Sequence, residues 1–168
     1  MLSFNENKRV IEGKRVDNKI FRYPQAPLPP ILGTKVLVGG CFDLLHYGHL
    51  SFFKAAKKLG DNLIISLEPD LTIRRLKQAS PIHTQNQRAE ILSELLCTDY
   101  ILLLPELHNY DDYLTLVKTV KPDFLAVTKG DPQTVNKQKQ ALEIGALVIE
   151  VNQVIEGLSS SLIRRNHL

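Results

Sequence analysis

Cysteine is scarce in this chain. Only Cys41 and Cys97 occur, and they form no CxxC pair. A disulfide-stapled scaffold is thereby excluded, and a reducing compartment, the cytoplasm, is expected. Long apolar runs are missing as well: none approaches the ~18 residues a membrane span needs. The opening MLSFNENKRV has no apolar h-region, so no secretory signal is expected there. Both standard phosphate loops are absent. No GxxxxGK[ST] occurs and no GxGxxG follows the first apolar run, which removes P-loop NTPases and dinucleotide dehydrogenases from the front rank.

What is present describes an ordinary globular chain. Its 168 residues are 43% hydrophobic and 23% charged, enough for one domain with its own core. The net charge of +3 is unevenly spread. Residues 1–35 carry seven basic against three acidic side chains, which leaves the remainder at −1. A basic arm can serve nucleic acid or a membrane surface. No aromatic stacking platform is interleaved with these charges, which weakens the nucleic-acid reading; the arm reads as a solvated extension, with neither nucleic acid nor membrane expected as its partner.

Tyr23-Pro24-Gln25-Ala26-Pro27-Leu28-Pro29-Pro30 cannot be helix or central strand, because four prolines fix φ and remove donors. Residues 1–34 are therefore expected to be arm and linker, and residues 35–168 the domain. Within the domain, Lys35–Gly39, Asn62–Leu67, Tyr100–Leu104, Phe124–Thr128 and Leu147–Val151 are short apolar runs of the kind that form parallel strands. Helical spacing lies between them. Phe52, Ala55, Ala56 and Leu59 make one stripe, and Tyr113, Leu116, Val117 and Val120 another. Thr84–Leu96, Pro132–Ile144 and a short Ser160–Arg165 are further helices. This alternation predicts an α/β fold with a Rossmann-like, doubly wound, five-stranded parallel sheet. Ligands bind such sheets beyond the strands' carboxyl ends. The segments there are Gly40–Gly48, Glu68–Lys77, Pro105–Asp111, Lys129–Asp131 and Asn152–Ser161, all read as loops.

After the first of these strands comes Gly39-Gly40-Cys41-Phe42-Asp43-Leu44-Leu45-His46-Tyr47-Gly48-His49. A glycine turn opening into a helix N-terminus attracts an anion. Gly48 leaves room for a phosphate, and His46 and His49, three apart, face the same way. Two imidazoles there would donate hydrogen bonds to charge developing on a phosphoryl group. The competing readings are a structural histidine pair and a His46/His49/Cys41 zinc site. No further Cys or carboxylate stands at familiar ligand spacing, so no protein metal ligand is assigned.

GCFDLLHYGH resembles the G-[TC]-F-D-x-x-H-x-G-H signature of the cytidylyltransferase-like nucleotidyltransferases, and the resemblance runs from about Lys35 to Arg165. Later segments are similar in the family's order. Ala56-Lys57-Lys58-Leu59-Gly60-Asp61 matches the exit from the first helix. Asp70 with Arg74-Arg75-Leu76-Lys77 matches the basic loop after strand two, and Gln87-Arg88 opens the second long helix. Lys129-Gly130-Asp131 resembles the loop after strand four, one glycine shorter. Glu156-Gly157-Leu158-Ser159-Ser160-Ser161 resembles the C-terminal serine motif. Singly, the basic residues read as a solvated charge run, the serines as a helix cap, and Arg88 as a partner of Glu94 or Asp99.

The resemblance implies transfer of a nucleoside monophosphate from a triphosphate to a small phosphorylated acceptor, with release of pyrophosphate. It implies that His46, His49 and Lys77 are catalytic. It assigns the nucleotide to Gly40, Cys41, Phe42, Asp43, Gly48, Arg88, Lys129, Gly130, Asp131, Ser159 and Ser160, and the acceptor to Asp70, Arg74 and Arg75. Mg²⁺ held mainly by phosphates and water is implied too, and a homodimer is among the states allowed. Arg75-Leu76-Lys77, Gln87-Arg88 and Lys129-Gly130-Asp131 resemble the ADP-heptose-synthase adenylyltransferase branch. Cytidylyltransferases acting on glycerol 3-phosphate or related phospho-alcohols carry an arginine where this chain has Val154, which favours ATP. Ser80-Pro81, in place of Arg-Pro, and Gln78, in place of glycine, depart from the adenylyltransferase pattern. The remaining alternative is a family member that binds a nucleotide without turning it over.

Overall fold

The computed structural model describes residues 10–11, 14–15, 19–25 and 28–152. Strands β1 (Val10–Ile11) and β2 (Lys14–Arg15) form a small antiparallel pair. Then follow β3 (Ile20–Arg22), β4 (Lys35–Gly40), α1 (Tyr47–Lys57), β5 (Asn62–Leu67), α2 (Asp70–Lys77), α3 (Gln85–Ser93) and β6 (Tyr100–Leu103). The described chain closes with α4 (Tyr110–Val120), β7 (Phe124–Thr128), α5 (Thr134–Leu142) and β8 (Leu147–Asn152).

The main sheet has six strands in the order β3-β6-β5-β4-β7-β8, and every pairing is parallel. From β4 the chain builds outward through β5 and β6, then returns across β4 to add β7 and β8. The topological switch therefore falls between β4 and β7, and the loops beyond those ends form the natural cleft.

Alternation along each strand divides the core between two faces. Val36, Val38, Leu63, Ile65, Leu67, Ile101 and Leu103 gather with Phe52, Phe53 and Ala56 of α1 and with Ala89 and Leu92 of α3. On the other face Leu37, Ile64, Leu102 and Leu125 meet Leu116, Val117 and Val120 of α4 and Ala141 of α5. Capping boxes fix two helix starts, Thr84 with Gln87 at α3 and Asn109 with Asp112 at α4. The Lys57 ammonium, 2.6 Å from the Asp99 carboxylate, ties the end of α1 to the entry of β6.

Two expectations need correction. The sheet has six strands, not five. The sixth, β3, lies in the segment read as arm and linker and pairs in register with Ile101, Leu102 and Leu103. Phe21, Tyr23, Leu28 and Ile31 then pack against the second core cluster. Three residues just ahead of a proline-rich stretch give no periodicity, so only the exposed edge of β6 reveals that they are a strand. The second concerns Asp70–Lys77, expected as loop and found as helix. Only Thr72 and Ile73 of its residues are buried, so no apolar stripe announces it. Asp70 in the first turn and Arg74, Arg75 and Lys77 in the last complement the helix dipole. The predicted helix at Ser160–Arg165 lies outside the described residues. Among the described residues no helix is long and apolar enough to cross a membrane.

Candidate functional site

The site is built where β4 runs into α1. Phe42 takes a left-handed conformation, φ 45°, which turns the chain sharply after Cys41. Its ring is buried in the first core cluster, meeting Phe53 at 4.8 Å and His49 edge-on at 5.3 Å. The turn is thus held by an aromatic anchor rather than by glycine. Asp43, 1% exposed, accepts hydrogen bonds from the Ile82 and His83 backbone N–H groups at 2.9 and 3.2 Å. It fixes the loop leading into α3, a structural task the motif alone does not reveal.

His46 is the N-cap of α1 in extended conformation, with no side-chain cap and no acidic residue in the first turn. Side chains thus leave the first N–H groups of α1 and the positive end of its dipole unanswered. The His46 and His49 rings stack at 3.8 Å, 25° apart. Their Nδ1 atoms are both buried without a hydrogen-bond partner among the described residues. A Cβ on Gly48 would lie 3.0 Å from the His46 ring, so a larger residue there requires the imidazole to give by a few tenths of an ångström.

Charge completes the picture. Burial, the neighbouring His46 and the Lys77 ammonium hold the His49 imidazole down to about 4, from an ordinary 6.5. Burial and Lys77 lower His46 as well. Both rings are neutral near pH 7, and the cation facing them comes from the last turn of α2. Burial, reinforced by Glu68, pushes the Cys41 thiol up, so it is protonated and a poor metal ligand. Among the described residues no group of three or more His, Cys, Asp or Glu side chains is placed to hold a metal.

The other expected residues divide. Arg88 is not at the cleft surface. Its guanidinium is buried and donates to the carbonyls of His83, Glu68 and Cys41 and to Asp70. Its ion-pair partner is Asp70, at 2.7 Å, rather than Glu94 or Asp99. Both residues act as a brace beneath the loops, and the Asp70 side chain stays 31% exposed. Arg88 Nε, Nη1 and Nη2 each find an acceptor within the protein. Arg74 and Arg75 project from α2, Arg75 standing 3.7 Å from Glu106. Gly40 ends β4, where a Cβ would come within 2.9 Å of the Phe42 ring. Lys129 and Gly130 are exposed beyond β7, across the switch point from β4. Asp131 turns inward to its own loop, accepting from the Gln133 N–H and pairing with Lys137 at 2.6 Å. Ser159, Ser160 and Val154 lie outside the described residues.

Sequence reasoning missed two participants. Gln85 donates to the carbonyls of Leu67 and Leu104 at 2.9 and 2.8 Å, lacing the ends of β5 and β6 together. Glu68, at the end of β5, is buried and accepts a 2.9 Å hydrogen bond from the Tyr113 hydroxyl. A Glu after a strand and a Tyr on a helix stripe carry no local signal of each other.

Comparison with known proteins shows the family. The family model described as cytidylyltransferase-like matches residues 37–166. The bifunctional protein HldE of Syntrophotalea carbinolica is 40% identical over 133 residues, covering 77% of this chain and 26% of that protein. HldE of Helicobacter hepaticus is 42% identical over 129 residues, covering 76% of this chain and 25% of that protein. The chain thus spans about a quarter of the length of these relatives. Among solved structures, the lipopolysaccharide core biosynthesis protein from Thermoplasma volcanium superposes with a TM-score of 0.58 at 29% identity, over 73% of this chain and 97% of that one. Pantoate-beta-alanine ligase from Francisella tularensis shares the fold, with a TM-score of 0.60 at 21% identity over 81% of this chain and 66% of that one. The matched stretch begins in β4 and takes in the stacked histidines and the braced loops, and the chain belongs to the cytidylyltransferase-like family of nucleotidyltransferases.

Proposed function

We propose that the chain transfers AMP from ATP to a phosphorylated acceptor of the sugar-phosphate class, releasing pyrophosphate. The observation that carries this reading is the stacked His46–His49 pair with both Nδ1 atoms unpartnered, at an uncapped helix N-terminus beside Lys77. Such a site gives hydrogen-bond donors and positive charge to a triphosphate without offering it a nucleophile. In-line attack by an acceptor phosphate oxygen on the α-phosphorus forms one P–O bond and breaks another, and pyrophosphate departs. That chemistry needs positioning and charge stabilisation, and no covalent intermediate. Each neutral imidazole can donate one N–H to the oxygens whose charge grows.

A magnesium ion fits this donor set only if it arrives with the nucleotide. The cleft offers Lys77, N–H groups and imidazoles, while the nearest motif carboxylate, Asp43, is buried and occupied by two backbone N–H groups. Bound Mg²⁺ would neutralise and orient the phosphates. Activity is expected to require added Mg²⁺ and to vanish with EDTA. One tightly held zinc per chain in the purified protein would contradict this arrangement.

The choice of ATP rests on likeness to the HldE proteins and on Val154. An arginine there would donate to a cytosine carbonyl, which valine cannot do. An unpaired polar group costs about 1–3 kcal/mol, so ATP should exceed CTP by about tenfold or more in kcat/KM. Steady-state pyrophosphate release with the two nucleotides and a panel of phosphosugars tests this, with Val154→Arg expected to narrow the gap. A preference for CTP would overturn the adenylyl reading, and no turnover with any pair would overturn transfer itself.

A further inference from the structure

On the face of the sheet away from the histidines lies a cavity that the transfer chemistry does not use. It measures about 260 Å³ and is bounded by α4 and by described residues that lead from β3 to β4. Pro24, Pro29 and Pro30, with the Tyr23 ring and Leu28, make its wall. Leu102 and Val120, both buried, close its floor, and the exposed Thr119 stands at its rim. Lys35 also lines it, at the start of the strand that ends in Gly40 at the catalytic turn. At ~3.3 Å per residue, Lys35 and Gly40 are about 17 Å apart along β4.

Size and wall chemistry restrict what such a cavity takes. Protein interiors hold few voids larger than a water molecule, because side chains interdigitate. Proline rings with fixed φ cannot fold inward to fill this one, so it stands preformed. An engineered cavity of about 150 Å³ holds benzene, so this one has room for a single ring and a small substituent. Walls of proline and tyrosine rings match a flat ligand, and a rigid one gives up little conformational freedom on entry. The charge fixes the substituent. Lys35 Nζ donates to the Val120 carbonyl at 3.0 Å, and among the described residues it forms no ion pair. The Asp123 carboxylate accepts from the Lys35 backbone N–H instead, at 2.7 Å. A neutral carbonyl occupies one of three ammonium donors and leaves the charge unanswered. The negative end of α4 is already met by Lys35 at Val120 and by the Lys121 N–H at Val117, and Lys118 is paired with Glu143 at 3.3 Å. No carboxylate is among the described residues that line the cavity.

We propose that this cavity is a second ligand site, which takes a one-ring aromatic carboxylate with its ring between the prolines and Val120 and its carboxylate on the Lys35 ammonium. An apolar pocket with one charged donor is the usual arrangement for a small ligand, the donor setting orientation and selectivity. The site is independent of the transfer reading, because it shares no residue with the histidine turn or with α2.

Methyl NMR titration of the full chain tests the assignment, with benzoate, phenylacetate, benzamide and benzylamine as probes. Benzoate or phenylacetate should bind with a Kd of about 1 mM or tighter, shifting the methyl signals of Leu28, Ile31, Leu102 and Val120. Benzamide, with an acceptor but no charge, should bind at least about tenfold more weakly, and benzylamine, which brings a second cation to Lys35, should not bind. Lys35→Met should weaken the carboxylates about tenfold or more, and so should Thr119→Trp, which obstructs the rim and keeps Lys35. Both variants should leave affinity for a non-hydrolysable ATP analogue within about twofold, since sites this far apart are independent. Where Lys35→Met fails to fold, Thr119→Trp and the benzylamine comparison carry the test. No saturable shift below about 10 mM, equal binding of carboxylates and benzylamine, shifts confined to methyl groups outside the cavity, or carboxylate binding unchanged in either folded variant would overturn the assignment.

Discussion

The Arg88 guanidinium, fully buried, lies 2.7 Å from the Asp70 carboxylate, which opens α2 and is itself 31% exposed. Through this pair the helix that carries Lys77 is joined to the loop that carries the histidines, because Arg88 also donates to the Cys41 and Glu68 carbonyls. A planar fork with several donors is needed for this, which lysine cannot supply.

Removing the guanidinium leaves those carbonyls and Asp70 without their donors. Arg88→Met should therefore cost about 3–5 kcal/mol, the range for breaking a buried ion pair. Asp70→Asn, which keeps an acceptor at a partly exposed position, should cost less than half of that. Urea denaturation of both variants checks the order, and a smaller loss in Arg88→Met than in Asp70→Asn would contradict the brace.

Loss of either imidazole should slow turnover about 10²–10³-fold, the range for losing one oxyanion-type donor. The two variants should differ in stability. His46 stands at the N-cap position of α1 without a capping hydrogen bond, whereas His49 lies against Phe42 and Phe53, at 5.3 and 6.4 Å. His49→Ala is accordingly expected to lower the unfolding midpoint more than His46→Ala. Turnover within a few-fold of wild type in either variant would place the chemistry elsewhere.

Acid should weaken the fold through the same rings. His49 is held near 4 when folded and returns to about 6.5 when unfolded, so the unfolded chain binds more protons between those values. Its stabilising contribution is complete above about pH 6.5 and is lost as pH falls through about 4. Glu68, raised by burial, works in the opposite sense, so the informative quantity is the difference between variants. Urea midpoints of wild type and His49→Gln should converge as pH drops from 7 toward 4. Parallel curves would show that His49 titrates normally.

The amino-terminal segment offers a direct test of the edge strand. Deleting residues 1–18 leaves β3, the Lys19–Ser93 hydrogen bond of 2.7 Å and the Phe21–Tyr100 contact intact, and should leave the midpoint nearly unchanged. Deleting residues 1–30 strips Phe21, Tyr23 and Leu28 from the second core cluster. The burial of large apolar side chains is worth about 1.5–3 kcal/mol each, so this truncation should cost at least about 3 kcal/mol. Equal midpoints for the two truncations would mean that the edge strand contributes nothing.

The sequence by itself determined the features that rest on local chemistry. Five apolar runs of the right length became the strands β4, β5, β6, β7 and β8, and the four inner ones, β4 to β7, were the plainest because strands covered on both faces must be largely apolar. The glycine turn and the two histidines three apart were legible for the same reason, since backbone geometry and helical spacing act over a few residues. Tertiary structure decided whatever depends on partners distant in sequence. Ile20–Arg22 is a strand only because β6 leaves an open edge, and Asp70–Lys77 is a helix tied down by Arg88, 18 residues on from Asp70. Arg88 became a brace and Glu68 a buried acceptor because folding brought carbonyls and Tyr113 to them, the last across 45 residues. No window of sequence contains such a pair, and the free energy of burying a polar group depends on the whole of what surrounds it.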